Sequence, residues 1–481
     1  VLKTITKDQS GAAMVITGLT MFSIFSVVGA AIDFTRAYQL QSRMSYALDA
    51  AGLAAATVVN TEDAHTEAKK YYFANIEKTM YSANVTDPAI ALAQNNTVLT
   101  LSSDASMPTS FLKLIGIDTL EVSAVSEITR AAKGMELIMV LDVTGSMDSG
   151  NKIGALRDAS QLMINNLFGS DTESDTLWVG IVPYTTPVNI GDKTSWLKNY
   201  DPAALYPAGY PSNKDKWRGC VMARSGGEDV TDNVPDPTKP NTMFEAYYWP
   251  DDDSQNNDWI NGSTFTVKDA QSDKNGSRGP NTGCPDIEVM PMTNQKQAII
   301  TKLQSLKAWY RGGTMSNEGI AWGWRMISPK WKGYWNHGHA DLPLPYNHDL
   351  MEKVVILLTD GENKFYNDVN DNDVTKSDFT AWNKIQSNVI NVNPVQKDPE
   401  GRRKLNDKTL ETCTKMKEQG VIIYTITFQL NGTNTASTEA RQMFQACASK
   451  PEYYFNSPSN AALQDTFAAI GDSLGNLRVS K

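Results

Sequence analysis

The sequence predicts an α/β protein: a doubly wound, mostly parallel sheet with large insertions, carried on an amino-terminal transmembrane and stalk helix and a small α+β connector. Three observations predict it. Apolar runs of strand length at 137–141, 177–183, 354–359 and 421–428 alternate with helical patterns at 152–167, 295–309, 318–326, 406–419 and 461–475. Such alternation implies buried parallel strands joined by helical crossovers. Two of those runs end in aspartates, Asp142 and Asp360, at the carboxyl strand ends where sheets of this kind bind ligands. Finally, residues 11–32 (GAAMVITGLTMFSIFSVVGAAI) carry no charge.

Taken in order, residues 1–10 read as a short cytoplasmic tail and 11–32 as a transmembrane helix. That run spans about 33 Å as a helix, against roughly 30 Å of hydrocarbon. The rival reading is a cleaved signal peptide, whose apolar core is usually only about 7–15 residues; the length of this run favours a retained anchor. Lys3 and Lys7 precede it and Arg36 and Arg43 follow, so flanking charge barely orients it. Residues 33–90 read as an amphipathic stalk, in which Leu40, Met44, Ala47, Leu48 and Ala51 recur at helical spacing on one face. Tyr71, Tyr72, Phe73 and Ile76 are expected to pack its end. Residues 91–134 hold the alternating runs 97–101 and 120–125, a small antiparallel sheet with a short helix. The head covers 135–481, interrupted at 188–292 and 328–350. The first insertion is far longer than an ordinary loop, and its tryptophans (Trp196, Trp217, Trp249, Trp259) serve either a partner surface or a local core.

At 481 residues the chain exceeds one usual domain. Its net charge of −10 and the lack of a dense basic tract argue against nucleic acid as partner. Cys220, Cys284, Cys413 and Cys447 lack Cys-x-x-Cys spacing and allow three full pairings. Cys413 with Cys447, and Cys220 with Cys284, are the expected disulfides, in an oxidising compartment; buried free thiols are the alternative.

The chemistry concentrates in Asp142-Val143-Thr144-Gly145-Ser146. A carboxylate and two hydroxyls at alternate positions offer oxygen ligands only, which suit a hard divalent cation. Arg311-Gly312-Gly313-Thr314 supplies a further hydroxyl on a loop that glycine lets turn tightly, and Thr359-Asp360-Gly361 a second carboxylate. Elsewhere, His337, His339 and His348 with Asp341, the run Asp251 to Asp253, and the stretch Asp368 to Asp373 are weaker candidates for metals. No Gly-x-Ser-x-Gly elbow, P-loop or His-Glu-x-x-His motif occurs, and no enzymatic activity is expected.

These three loops resemble the metal-ion-dependent adhesion site of the von Willebrand factor A domain, with Asp142, Thr144, Ser146, Thr314 and Asp360 at its five ligand positions. The resemblance implies Mg²⁺, with Mn²⁺ or Ca²⁺ as alternatives, and a protein partner whose Asp or Glu completes the shell. The amino-terminal stretch, from Asp8-Gln9-Ser10-Gly11 through Asp33-x-x-Arg36 to Leu48-Asp49-Ala50-Ala51, resembles the TadE/TadG family of Flp (Tad) pilus assembly proteins. A von Willebrand A unit in the same chain points to the TadG-like members. Prepilin-like members carry glutamate five residues after the cleavage glycine; here Ile16 follows Gly11 and Ser23 follows Gly18, so an uncleaved anchor is expected. The resemblance implies a single-pass bacterial inner-membrane protein with a periplasmic body, binding pilus or pilus-assembly components. An adhesin or minor tip subunit using the same site is the alternative.

Overall fold

The computed structural model describes residues 10–56, 61–93, 98–129, 134–201, 217–249, 260–261, 266–267, 281–348, 350–366, 377–387, 389–391 and 399–479. They fall into two compact units, 1–132 and 133–480.

In the first unit, helix α1 (Ser10–Ala56) is followed by α2 (Thr61–Asn75). A sheet follows, made of β1 (Asn84–Val85), β2 (Ala89–Ala93), β3 (Val98–Pro108) and β4 (Thr119–Thr129). All pairings are antiparallel: β1 and β2 share one edge of β3, and β4 runs along the other. The alternation of β3 places Leu99, Leu101, Ala105 and Met107 on one face, and Val122 and Ala124 of β4 join them. Against this face lie Leu40, Met44, Ala47, Leu48 and Ala51 of α1, all fully buried, with Ala64, Ala68, Tyr72 and Ile76. The described part of 33–90 is therefore not one extended stalk: α1 and α2 pack in a shared core, and β1 and the start of β2 follow them. The apolar face read as the side of a stalk buries against the sheet, and that burial is what holds α2 on α1. Of the expected packing residues, Tyr72 and Ile76 are buried, whereas Tyr71 is exposed.

The second unit is built on a six-stranded sheet. Its strands are β5 (Gly134–Asp142), β6 (Leu177–Tyr184), β7 (Met290–Thr293), β8 (Met351–Thr359), β9 (Ile422–Phe428) and β10 (Tyr454–Ser457). The spatial order is β10-β9-β8-β5-β6-β7, parallel throughout except for the antiparallel edge strand β7. β5 and β6 are buried along their whole length, which is why their sequences are continuous apolar runs. Helices α3 (Lys152–Phe168), α4 (Lys296–Gln304) and α8 (Asn460–Val479) cover one face. Helix α5 (Ser316–Ile327) covers the other, beside α6 (Pro399–Glu418), which in turn packs on α7 (Thr435–Cys447). The pattern read as helical over 295–309 stops at Gln304. Beyond it the backbone is drawn to the end of β5, where Trp309 N–H donates to Val143 O at 2.6 Å.

Every residue of α5 is buried, because the sheet lies under it and the insertions lie over it. Its glycines set the approach. A Cβ on Gly323 would stand 2.5 Å from Val140 Cγ2, and one on Gly319 2.7 Å from the Tyr184 ring. At the far end the buried guanidinium of Arg325 donates to the carbonyls of Glu228, Asp229 and Thr231. Of the insertion's described tryptophans, Trp196 and Trp249 are core and Trp217 is half-buried. Trp249 packs in one cluster with Cys220, Tyr247, Cys284 and Phe379, and Trp196 meets Trp331 and Trp335 edge-on at 5.2 and 4.9 Å. Trp259 lies outside the described residues. Disulfides join Cys220 to Cys284 and Cys413 to Cys447, the second tying α6 to α7.

Candidate functional site

β5 and β8 are parallel neighbours with Leu141 opposite Leu358, so Asp142 and Asp360 emerge side by side at the carboxyl edge. The sheet's connections also diverge there, β6 lying on one side of β5 and β8 on the other. This is the crevice that doubly wound sheets leave open. Asp142 is held from two directions. Its Oδ1 accepts from Thr144 N–H at 2.8 Å, and its Oδ2 from Thr359 Oγ1 at 2.7 Å. The Thr144 and Ser146 hydroxyls lie 2.9 Å apart. Ser146 Oγ donates to Asp360 Oδ1 at 2.6 Å, and Lys152 Nζ donates to Asp360 Oδ2 at 2.8 Å.

The third loop is stitched to the second. Arg311, Gly312 and Gly313 take successive positive φ values of 84°, 90° and 103°. At Gly313 a Cβ would stand 2.0 Å from Lys364 O, so only glycine fits. The turn lets Gly313–Thr314 pair antiparallel with Lys364–Phe365, and Arg311 is clamped by both carboxylate oxygens of Asp378. Thr314 Oγ1 consequently lies 4.0 Å from the Cβ position of Gly361, over the turn that carries Asp360. Hydrogen bonds thus join Asp142, Thr144, Ser146 and Asp360 at one edge, and Thr314 lies over the neighbouring Gly361. Asp142, Thr144, Thr314 and Asp360 are buried, whereas Ser146 is exposed, which opens the cluster to solvent on that side.

Burial, and then the neighbouring Asp360 carboxylate, push the Asp142 carboxyl up to about 7. Two acids share a crevice in which Lys152 is the near cation. Sequence reasoning missed Lys152 and Thr359. A signal existed for the first: a lysine opening a helix opposes the helix dipole, and Asp360 compensates it.

His337, His339 and His348 are not assembled into a metal site. His337 Nδ1 accepts from Met292 N–H, His339 Nδ1 from Asp341 N–H and His348 Nδ1 from Leu350 N–H, so each ring is engaged by backbone. The runs 251–253 and 368–373 lie outside the described residues. Among the described residues no group of three or more His, Cys, Asp or Glu side chains is placed to hold a metal. A cation at the Asp142–Asp360 cluster would therefore have to rest on hydroxyl oxygens as well as on its two carboxylates.

Residues 11–58 match the family model described as "Putative Flp pilus-assembly TadE/G-like". The amino-terminal segment is TadE/G-like. No curated protein matches the chain. Similar solved structures include the von Willebrand factor domain of the type V pili tip protein Mfa5 from Porphyromonas gingivalis, at 10% identity, TM-score 0.35, covering 72% of this chain and 96% of that one. A point mutant of the PilB minor pilin from Streptococcus sanguinis is similar at 14% identity, TM-score 0.33, over 83% and 80%. Proximal thread matrix protein 1 from the mussel byssus, with a zinc-occupied MIDAS motif, is similar at 12% identity and TM-score 0.29. It aligns over 71% of this chain, which spans 46% of that protein.

Proposed function

We propose that this protein is a membrane-anchored, cation-dependent protein-binding module that serves assembly or anchoring of a Tad/Flp-type pilus. The observation that carries the binding site is the unbroken hydrogen-bonded chain from Thr359 through Asp142, Thr144 and Ser146 to Asp360, open at Ser146. The donor set fits a hard divalent cation: it is all oxygen, and its two carboxylates share a crevice with the single ammonium of Lys152. Asp142, Thr144, Ser146, Thr314 and Asp360 would hold Mg²⁺, or Mn²⁺ or Ca²⁺. When bound, the ion would offer an open position to a partner's Asp or Glu.

The chain's own residues do the positioning. Thr359 and the Thr144 amide fix both oxygens of Asp142, the Gly312-Gly313 turn sets Thr314, and exposed Ser146 leaves a way in. The pilus role is supported by the TadE/G-like segment, and the anchor by α1, which is long and apolar enough to cross a membrane. Placement in a bacterial inner membrane with a periplasmic body belongs to the same reading.

Calorimetric titration with Mg²⁺ tests the site. Asp142→Ala and Asp360→Ala should each abolish the binding heat while far-ultraviolet circular dichroism stays unchanged. Wild-type affinity in either variant would remove the proposed site. Capture of pilus components by the purified protein should be lost in chelator and restored by Mg²⁺; capture indifferent to chelator would separate partner binding from the cation.

A further inference from the structure

The hairpin joining β3 to β4 ends in Thr109-Ser110-Phe111-Leu112-Lys113-Leu114-Ile115-Gly116-Ile117-Asp118. Turns of soluble sheets are usually polar and rich in Gly, Asn, Asp and Ser. This one instead exposes Leu114 at 66%, Ile115 at 53%, Ile117 at 42% and Phe111 at 40%. It is also fastened to one level of α1. A Cβ on Gly29 would stand 2.5 Å from Phe111 Cβ, so the Phe111 side chain lies directly on that glycine. The buried Asp33 carboxylate accepts from the amides of Ser110, Phe111 and Leu112 at 2.9, 2.8 and 2.9 Å. Arg36 Nη1 donates to Ser110 Oγ at 2.7 Å.

That level is where the character of α1 changes. From Met14 to Val28 its large apolar side chains are exposed; Gly29 is the first buried position and Asp33 the next. The apolar run ends at Ile32, about 5 Å further along the helix than Gly29 at 1.5 Å per residue. The hairpin tip thus sits beside the last turn of the uncharged run. Around it are groups suited to a water–lipid boundary: exposed Phe34 and Tyr38 on α1 and Lys113 within the tip.

We propose that the β3–β4 hairpin tip, residues 109–118, is a second membrane-contacting element, seated in the lipid interface beside the end of the α1 span. The proposal rests on α1 being the membrane anchor. The occupant is the bilayer itself, because the exposed apolar surface of the tip continues that of α1 at the level where the helix enters the folded unit. The tip sets the depth of the helix and stops it from sliding, with Asp33 as the brace between the two.

Depth-resolved fluorescence on the full chain, in vesicles of phosphatidylcholine and phosphatidylglycerol, tests this. An environment-sensitive probe is placed on Leu114→Cys, Ile117→Cys, Phe22→Cys in the span, and Glu127→Cys toward the opposite end of β4; the four native cysteines are disulfide-bonded. The tip probes should shift to the blue and lose emission more to nitroxide near the headgroups than to nitroxide deep in the chains. The Phe22→Cys probe should show the reverse order, and Glu127→Cys should respond to neither. Unquenched tip probes beside a quenched Phe22→Cys probe would overturn the tip proposal and leave the anchor standing. Silence at all three would overturn the anchor, and the proposal with it. Energy transfer between tip probes on different copies, without lipid quenching, would assign the face to self-association and overturn lipid contact.

Discussion

Lys152 and Asp360 form the ion pair that governs the candidate crevice at the level of single residues. The lysine ammonium occupies one oxygen of a carboxylate proposed to face a cation, so the two positive charges compete. Lys152→Gln is expected to tighten Mg²⁺ binding by up to about tenfold, equivalent to ~1.4 kcal/mol, in the same titration; weaker binding would show that the lysine supports the site. His337 offers a separate test. Burial, and then Lys353, hold its imidazole down at about 3, against an ordinary 6.5, and its Nδ1 accepts a backbone N–H. The unfolded chain takes up this proton below pH 6.5 while the folded chain resists, so stability should fall as pH drops from 6.5 toward 3. Thermal melts should show a shallower acid slope for His337→Gln. Five ligand candidates were legible in the sequence because their chemistry is local: carboxylates and hydroxyls at strand ends. Thr359 and Lys152 were not, since their partners lie 217 and 208 residues away.

Among elements, α5 is the most constrained. Its sequence alternates glycine with large side chains so that the backbone can lie on β5 while Trp322 stacks on Phe244 at 4.8 Å. Gly323→Ala would normally stabilise a helix by about 1 kcal/mol. Here the added methyl meets Val140, a branched side chain fixed in the central strand, and overpacking of this kind costs roughly 1–3 kcal/mol. Denaturant melts should therefore show a net loss; a gain would mean that β5 yields. The four long apolar strands were legible from composition alone. The edge strands β7 and β10 were not, because each is short and half-exposed, without a continuous apolar signal. The supposed stalk was misjudged for a related reason. Helical periodicity marks a face that buries, and it is silent on whether the cover is another helix or a sheet.

For the whole molecule, the division into a helix-on-sheet unit and a doubly wound head follows the change from period-two and helical patterns before residue 130 to continuous apolar runs after it. The head is reinforced by its cross-links. Removing the Cys413–Cys447 bond, which closes a separation of 34 residues, with Cys413→Ala/Cys447→Ala should cost about 3–4 kcal/mol, read as a lower denaturation midpoint; an unchanged midpoint would show that α6 and α7 are held by packing alone.

All four cysteines lie beyond residue 219, and none occurs in residues 1–132. The amino-terminal unit, which leaves the ribosome first, can reach its final form without any oxidant. The head is locked covalently only once its thiols have been oxidised, so the small sheet can be complete while the head still awaits its cross-links.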